Sequence, residues 1–108
     1  MDPIDTELVK GSTVTFILTV LDRGERYGYE LIKQIELESG GKLQPKEGTI
    51  YPVLHQLEKD GAISSRWGAG DGARKRKYYR ITARGRKILD KKKHEWFSFR
   101  DLMDRIVT

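Results

Sequence analysis

The sequence is that of a mainly α domain with a small β-hairpin. Three observations lead there. Apolar residues recur at helical spacing in three short segments before residue 60. Two alternating stretches then flank the glycine-rich "GAGDGAR". After residue 82 a heptad-like seam runs to the end of the 108-residue chain.

The first helix is expected from about Asp5 to Leu21. Leu8, Val14, Ile17, Leu18 and Leu21 form its stripe, widened by Val9, Phe16 and Val20. So wide a stripe implies burial on more than one side. Gly24 follows as a stop signal. A second helix fits Tyr29 to Glu38, with Leu31, Ile32 and Ile35 inward and Gly40-Gly41 ending it.

The third helix begins near Pro45, where proline suits a first turn, and runs to Asp60 before Gly61. With Ile50 inward, Leu54 and Leu57 fall within about 40° of it and Val53 within about 60°. Gly48, Pro52, His55 and Lys59 then face the opposite way, flanked by Thr49, Tyr51 and Gln56. A proline in a helix interior costs about 3 kcal/mol. At Pro52 the lost bond is to the carbonyl of Gly48, in the first turn. Gly48 and Pro52 make a smooth, low patch, which suits close approach to a partner; proline that only stiffens the helix start is the alternative.

The period then changes from helical to alternating. Ile63–Trp67 and Lys77–Ile81 read as a hairpin, with Ile63, Trp67, Tyr79 and Ile81 inward and Arg76, Tyr78 and Arg80 outward. Thr82 is the expected N-cap of the last helix, which continues toward Ile106. Gly85, Leu89, Lys92, Trp96, Phe99, Met103 and Ile106 step by four and three, a coiled-coil-like spacing. Its distal half, "WFSFRDLMDRIV", exceeds what so small a core can cover. A partner helix would bury it; folding back on its own domain is the alternative.

The chain is 37% apolar and 34% charged, with net charge +5 and no cysteine. Disulfides and thiolate metal sites are therefore excluded. His55 and His94 have no ligand spacing, and no nucleophile–base pair or carboxylate dyad stands out, so neither metal, cofactor nor enzyme is expected. The most apolar run, Val14–Leu21, has only eight residues and includes Thr15 and Thr19, so it cannot span a bilayer. No membrane association is expected, and a cytoplasmic location follows. Charge is uneven. Arg74–Lys93 holds eleven basic residues and one acidic, while the rest of the chain is net −5. One basic face on an acidic body suits a polyanion; a solvated basic helix and loop gives the same count.

Three helices, a hairpin and a basic turn form the order of a winged helix-turn-helix. In that design the third helix enters the major groove of double-stranded DNA and the wing meets its backbone. The expected DNA contacts are Gly48, Thr49, Pro52, His55, Gln56 and Lys59 of the helix, with Arg74, Arg76 and Lys77 of the wing; Tyr51 stands at their flank. The expected division is a winged helix-turn-helix DNA-binding domain over 1–81 and a long C-terminal dimerisation helix over 82–108. Leu89, Trp96, Phe99, Met103 and Ile106 would form the homodimer seam. A winged-helix module that binds protein without specific DNA binding is the alternative function.

"YGYELIKQI", "GTIYPVLHQLEKDGAISSRW", "RKYYRIT" and "ARGRK", with "LVKGS" in the first helix, resemble the PadR family of bacterial transcriptional regulators. The resemblance runs roughly from Leu8 to Trp96 and is that of the short subfamily, with a single C-terminal helix. It implies a dimeric repressor on a pseudo-palindromic operator, released by a small molecule. It places Thr49 and Tyr51 at the DNA-facing helix start and Arg76 and Lys77 in the wing. It also makes Trp96 a candidate wall of a dimer-interface cavity for a small flat aromatic effector; a plain dimer-core residue is the alternative. Lys92 and His94 nearby disfavour a cationic ligand.

Overall fold

A computed structural model describes residues 6–108, apart from 73. The expected helix start at Asp5 and the side chains of Leu8 and Val9 lie outside the described ones. Seven elements follow in order: α1 (Thr6–Asp22), β1 (Arg26–Tyr27), α2 (Gly28–Glu38), α3 (Glu47–Lys59), β2 (Ile63–Ala69), β3 (Lys75–Ile81) and α4 (Ala83–Val107).

Helix α1 is the hub. It packs against α2, α3, β3 and α4, and Ile17, Leu18, Val20 and Leu21 are all buried. That matches its broad apolar stripe. Around it gather Leu31, Ile32 and Ile35 of α2, Ile50, Leu54 and Leu57 of α3, and Ile63, Tyr79 and Ile81 of the hairpin. Burying one such aliphatic side chain contributes about 1.5–3 kcal/mol.

The sheet has three strands in the antiparallel order β1-β3-β2, where two were expected. Strand β1 pairs Arg26 with Tyr79 and Tyr27 with Tyr78. Two residues are too few to show an alternating period. Its end is also the start of α2: the Tyr27 N–H donates to the Glu30 carboxylate at 3.2 Å, half of a capping box.

Helix α3 starts two residues later than Pro45. The Lys46 carbonyl accepts from the N–H groups of both Thr49 and Ile50, so Lys46 is the N-cap. Its end is a Schellman turn: Gly61 takes a φ of 79°. The Ala62 N–H donates to the Leu57 carbonyl and the Gly61 N–H to that of Glu58.

The hairpin register aligns Ile63 with Ile81, Ser65 with Tyr79 and Trp67 with Lys77. Trp67 thus shares the face of the core residues, as expected, but it is not inward: it is 67% exposed. The core ends at the hairpin base. Alternation fixes the face of a residue and says nothing of what is stacked on it. On the other face Tyr78 lies edge-on to Tyr27 at 5.7 Å and carries the Arg66 guanidinium at 4.8 Å from its ring.

Thr82 caps α4, accepting from the Gly85 N–H at 3.0 Å, and its hydroxyl donates to the Gly61 carbonyl at 2.7 Å. Gly85 is buried, and any Cβ there would collide with the Ala62 carbonyl. The helix therefore seats on the turn that ends α3.

Candidate nucleic-acid interface

Three buried residues, Ile50, Leu54 and Leu57, anchor one side of α3. The other side presents Gly48, Thr49, Pro52, His55, Gln56 and Lys59, all exposed. A Cβ at Gly48 would meet nothing within 4 Å. The glycine is therefore required neither by packing nor by backbone conformation, and the low patch is a surface property. Gln56 donates to the Asp60 carboxylate one turn on, at 2.9 Å.

Tyr51 stands at the flank, half-buried. Its ring occupies the space that a side chain on Gly28 would need: a Cβ there would come within 3 Å of three phenol atoms. Burial, then the charge of Glu47, raises the phenol's pKa, so its hydroxyl stays protonated and able to donate. Burial does the same for Tyr79.

Between α3, the start of α2 and the wing lies an open cleft of about 490 Å³. Tyr27, Tyr29, Tyr51, His55, Trp67, Arg76, Lys77 and Tyr79 line it with Gly28. Aromatic faces and two cations make its walls, and none of these lining residues is acidic.

The wing cations are not all equally placed. Arg74 and Lys75 are exposed. Arg76 donates to Asp71 at 2.7 Å and lies over the Tyr27 ring at 4.2 Å. Lys77 reaches Glu58 of α3 at 3.3 Å. Glu58 also accepts from the Ser65 hydroxyl. That bond, and then Lys77, hold its carboxyl below the ordinary value against partial burial. Arg66 donates to Glu25 through Nε at 2.9 Å. The carboxylates that segment counting assigned elsewhere thus stand beside the basic residues.

Helix α4 divides in two. Leu89, expected in the seam between subunits, is 1% exposed within its own chain and packs in the core. From Trp96 onward the apolar residues Trp96, Phe97, Phe99, Leu102, Met103, Ile106 and Val107 are 40–71% exposed. Trp96 and Phe97 meet edge-on at 5.4 Å, with Arg100 against both rings.

Sequence reasoning left out Tyr27, Tyr29, Glu58 and Trp67. The "YGY" triplet, a glycine between tyrosines at a helix start, carried a signal for the first two. Glu58 gave none, because its partners Ser65 and Lys77 lie on the two strands of the hairpin. Among the described residues no cluster of acidic or histidine side chains could hold a metal, and no helix is long and apolar enough to cross a membrane.

Helices α2 and α3, with the β2–β3 hairpin beside them and α1 behind, define a winged helix-turn-helix, a DNA-binding fold. Residues 17–91 match the Transcriptional regulator PadR-like family, and the chain belongs to that family. A Lysinibacillus sphaericus protein is 33% identical over 101 residues, covering 94% of this chain and 93% of its own length. The Negative transcriptional regulator PadR of Bacillus subtilis is 31% identical over 80 residues, 74% of this chain and 42% of that protein. The Transcriptional regulator YqjI of Escherichia coli is 34% identical over 79 residues; the chain spans 36% of its length.

Among solved structures, a transcriptional regulator from Clostridium thermocellum superposes with a TM-score of 0.88 at 34% identity, covering 95% of this chain and 100% of that one. A PadR family regulator from Eggerthella lenta gives 0.81 at 33% identity, over 94% and 86%. The Bacillus and Escherichia relatives and both solved structures are named as transcriptional regulators.

Proposed function

We propose that this protein is a sequence-specific DNA-binding repressor that acts as a homodimer. The observation that carries the reading is the exposed face of α3. Gly48 and Pro52 leave it low enough to approach base edges, with Thr49, His55, Gln56 and Lys59 around them. In the major groove such a helix reads donors, acceptors and thymine methyls. Arg74, Arg76 and Lys77 meet phosphates from the wing, which contributes affinity and fixes register. Tyr51 donates its hydroxyl to a phosphate at the helix flank.

The dimer forms through α1 and the distal half of α4, where Trp96, Phe99, Met103 and Ile106 are exposed. Contiguous apolar surface of this kind marks an interface. Two-fold symmetry then sets a pseudo-palindromic operator with half-sites about 34–36 Å apart, or multiples of that. A small flat aromatic effector sits beside Trp96 between the subunits and releases the repressor.

The experiment is selection from a random pool of duplexes by the purified protein, followed by sequencing. A single motif with two symmetric halves is expected. Enrichment with no shared motif would leave only a non-specific or protein-binding role.

A further inference from the structure

We infer that Trp67 is a direct contact to double-stranded DNA, its indole against the sugar edge of the strand held between α3 and the wing. The inference rests on the DNA-binding reading above. Trp67 is 67% exposed, beyond the end of the sheet face whose base builds the core, although tryptophan is highly buried on average. Along that face burial falls from Ile63 through Ser65 to Trp67. No ring or cation of this chain is stacked on the indole among the described residues.

The surroundings choose the occupant. Trp67 lines the cleft with His55 of α3 and with Arg76 and Lys77 of the wing. Lys77 is its direct partner across the hairpin. An apolar wall beside two cations, whose carboxylate partners Asp71 and Glu58 are not in the lining, matches a sugar–phosphate strand: deoxyribose against the indole, phosphates displacing those surface pairs on the cations. The indole Nε1–H is a donor with no acceptor role, and a phosphate oxygen is the acceptor that this partner brings. His55 belongs both to this lining and to the exposed side of α3, so a strand tracking from helix to wing would pass over the cleft.

The test uses the full-length protein and the duplex obtained by selection, with binding read by fluorescence anisotropy across a salt series. Trp67→Ala is expected to weaken binding roughly fivefold or more, as for other anchoring aromatics at interfaces. The slope of log affinity against log salt should stay at the wild-type value, because no cation is lost and no counterion release changes. A cation variant moves that slope; an aromatic contact does not.

Protein labelled with 5-fluorotryptophan gives a second reading. The fluorine resonance missing in Trp67→Phe belongs to Trp67. On saturation with the duplex it should shift and lose its sensitivity to solvent. Wild-type affinity in Trp67→Ala, or a resonance unmoved while anisotropy reports binding, would overturn the contact. If wild-type protein binds no duplex at all, the DNA-binding reading fails first and this inference falls with it.

Discussion

The Nζ of Lys77 lies 3.3 Å from the Glu58 carboxylate, and that pair ties the wing to the helix proposed to read the groove. With the Ser65 hydroxyl on the same carboxylate, Glu58 is bonded to both strands of the hairpin. These bonds brace the helix against the wing. Both partners are about one-third exposed, so phosphate can take Lys77 over at little cost; surface pairs contribute about 0–1 kcal/mol.

Salt dependence tests the wing. Each phosphate contact adds about 0.9 to the slope of log affinity against log salt. Arg76→Ala and Lys77→Ala should each lower the slope by roughly one and weaken all sequences alike. Anisotropy titrations at several salt concentrations measure this. Unchanged slopes in both variants would remove the wing from the interface.

Glu58 should show in acid unfolding. Its pKa is depressed, first by the Ser65 hydrogen bond and then by Lys77, from an ordinary value of 4.5. A depressed carboxyl contributes stability above its unfolded pKa and loses it as pH falls through the folded one. Stability should therefore decline below about pH 4.5 more steeply than in Glu58→Gln. Urea unfolding from pH 7 to pH 3 compares the two. Parallel curves would mean that the brace contributes nothing.

Gly28 and Tyr51 should be coupled. A methyl at position 28 strikes the Tyr51 ring, and overpacking of this sort typically costs about 1–3 kcal/mol. Gly28→Ala alone should destabilise, while in a Tyr51→Ala background the same change should cost much less. A double-mutant cycle by denaturant unfolding reads the coupling. Additive effects would separate the two residues.

The distal part of α4 should hold the assembly together. Deleting residues 94–108 removes Trp96, Phe99, Met103 and Ile106 and leaves the buried Leu89 in place. The shortened protein should sediment as a monomer, and the intact chain as the proposed dimer. A shortened protein that is still dimeric at micromolar concentration would place the interface elsewhere.

Much of this architecture was legible in the sequence, for reasons visible at particular residues. Ile50, Leu54 and Leu57 repeat at helical spacing, so the outer face of α3 follows by geometry. Thr82 before a long amphipathic run marks a helix start. What escaped depended on partners distant in the chain. Strand β1 exists only because Arg26 and Tyr27 lie beside β3. Trp67 alternates with the core residues but reaches past them. Leu89 fits the same heptad as Trp96, yet the core of its own chain covers one and not the other. Asp71 and Glu58 sit among the cations that a count by segment had credited with an unopposed charge.

Helix α3 is proposed to read bases through the patch of Gly48 and Pro52. Competition binding of the selected operator against a scrambled duplex tests it most directly, with wild type, Gly48→Leu and Gln56→Ala side by side. Wild type should prefer the operator by roughly 10³-fold or more, as specific binders typically do. Gln56→Ala should relax preference at one position in each half-site, by about 1–3 kcal/mol per misread pair. Gly48→Leu should bind both duplexes at the scrambled-duplex affinity, because the bulky side chain holds the helix off the groove floor while the wing still meets phosphates. A folded Gly48→Leu protein that kept full operator preference would contradict the claim, and Pro52 would then be only a stiffener of the helix start.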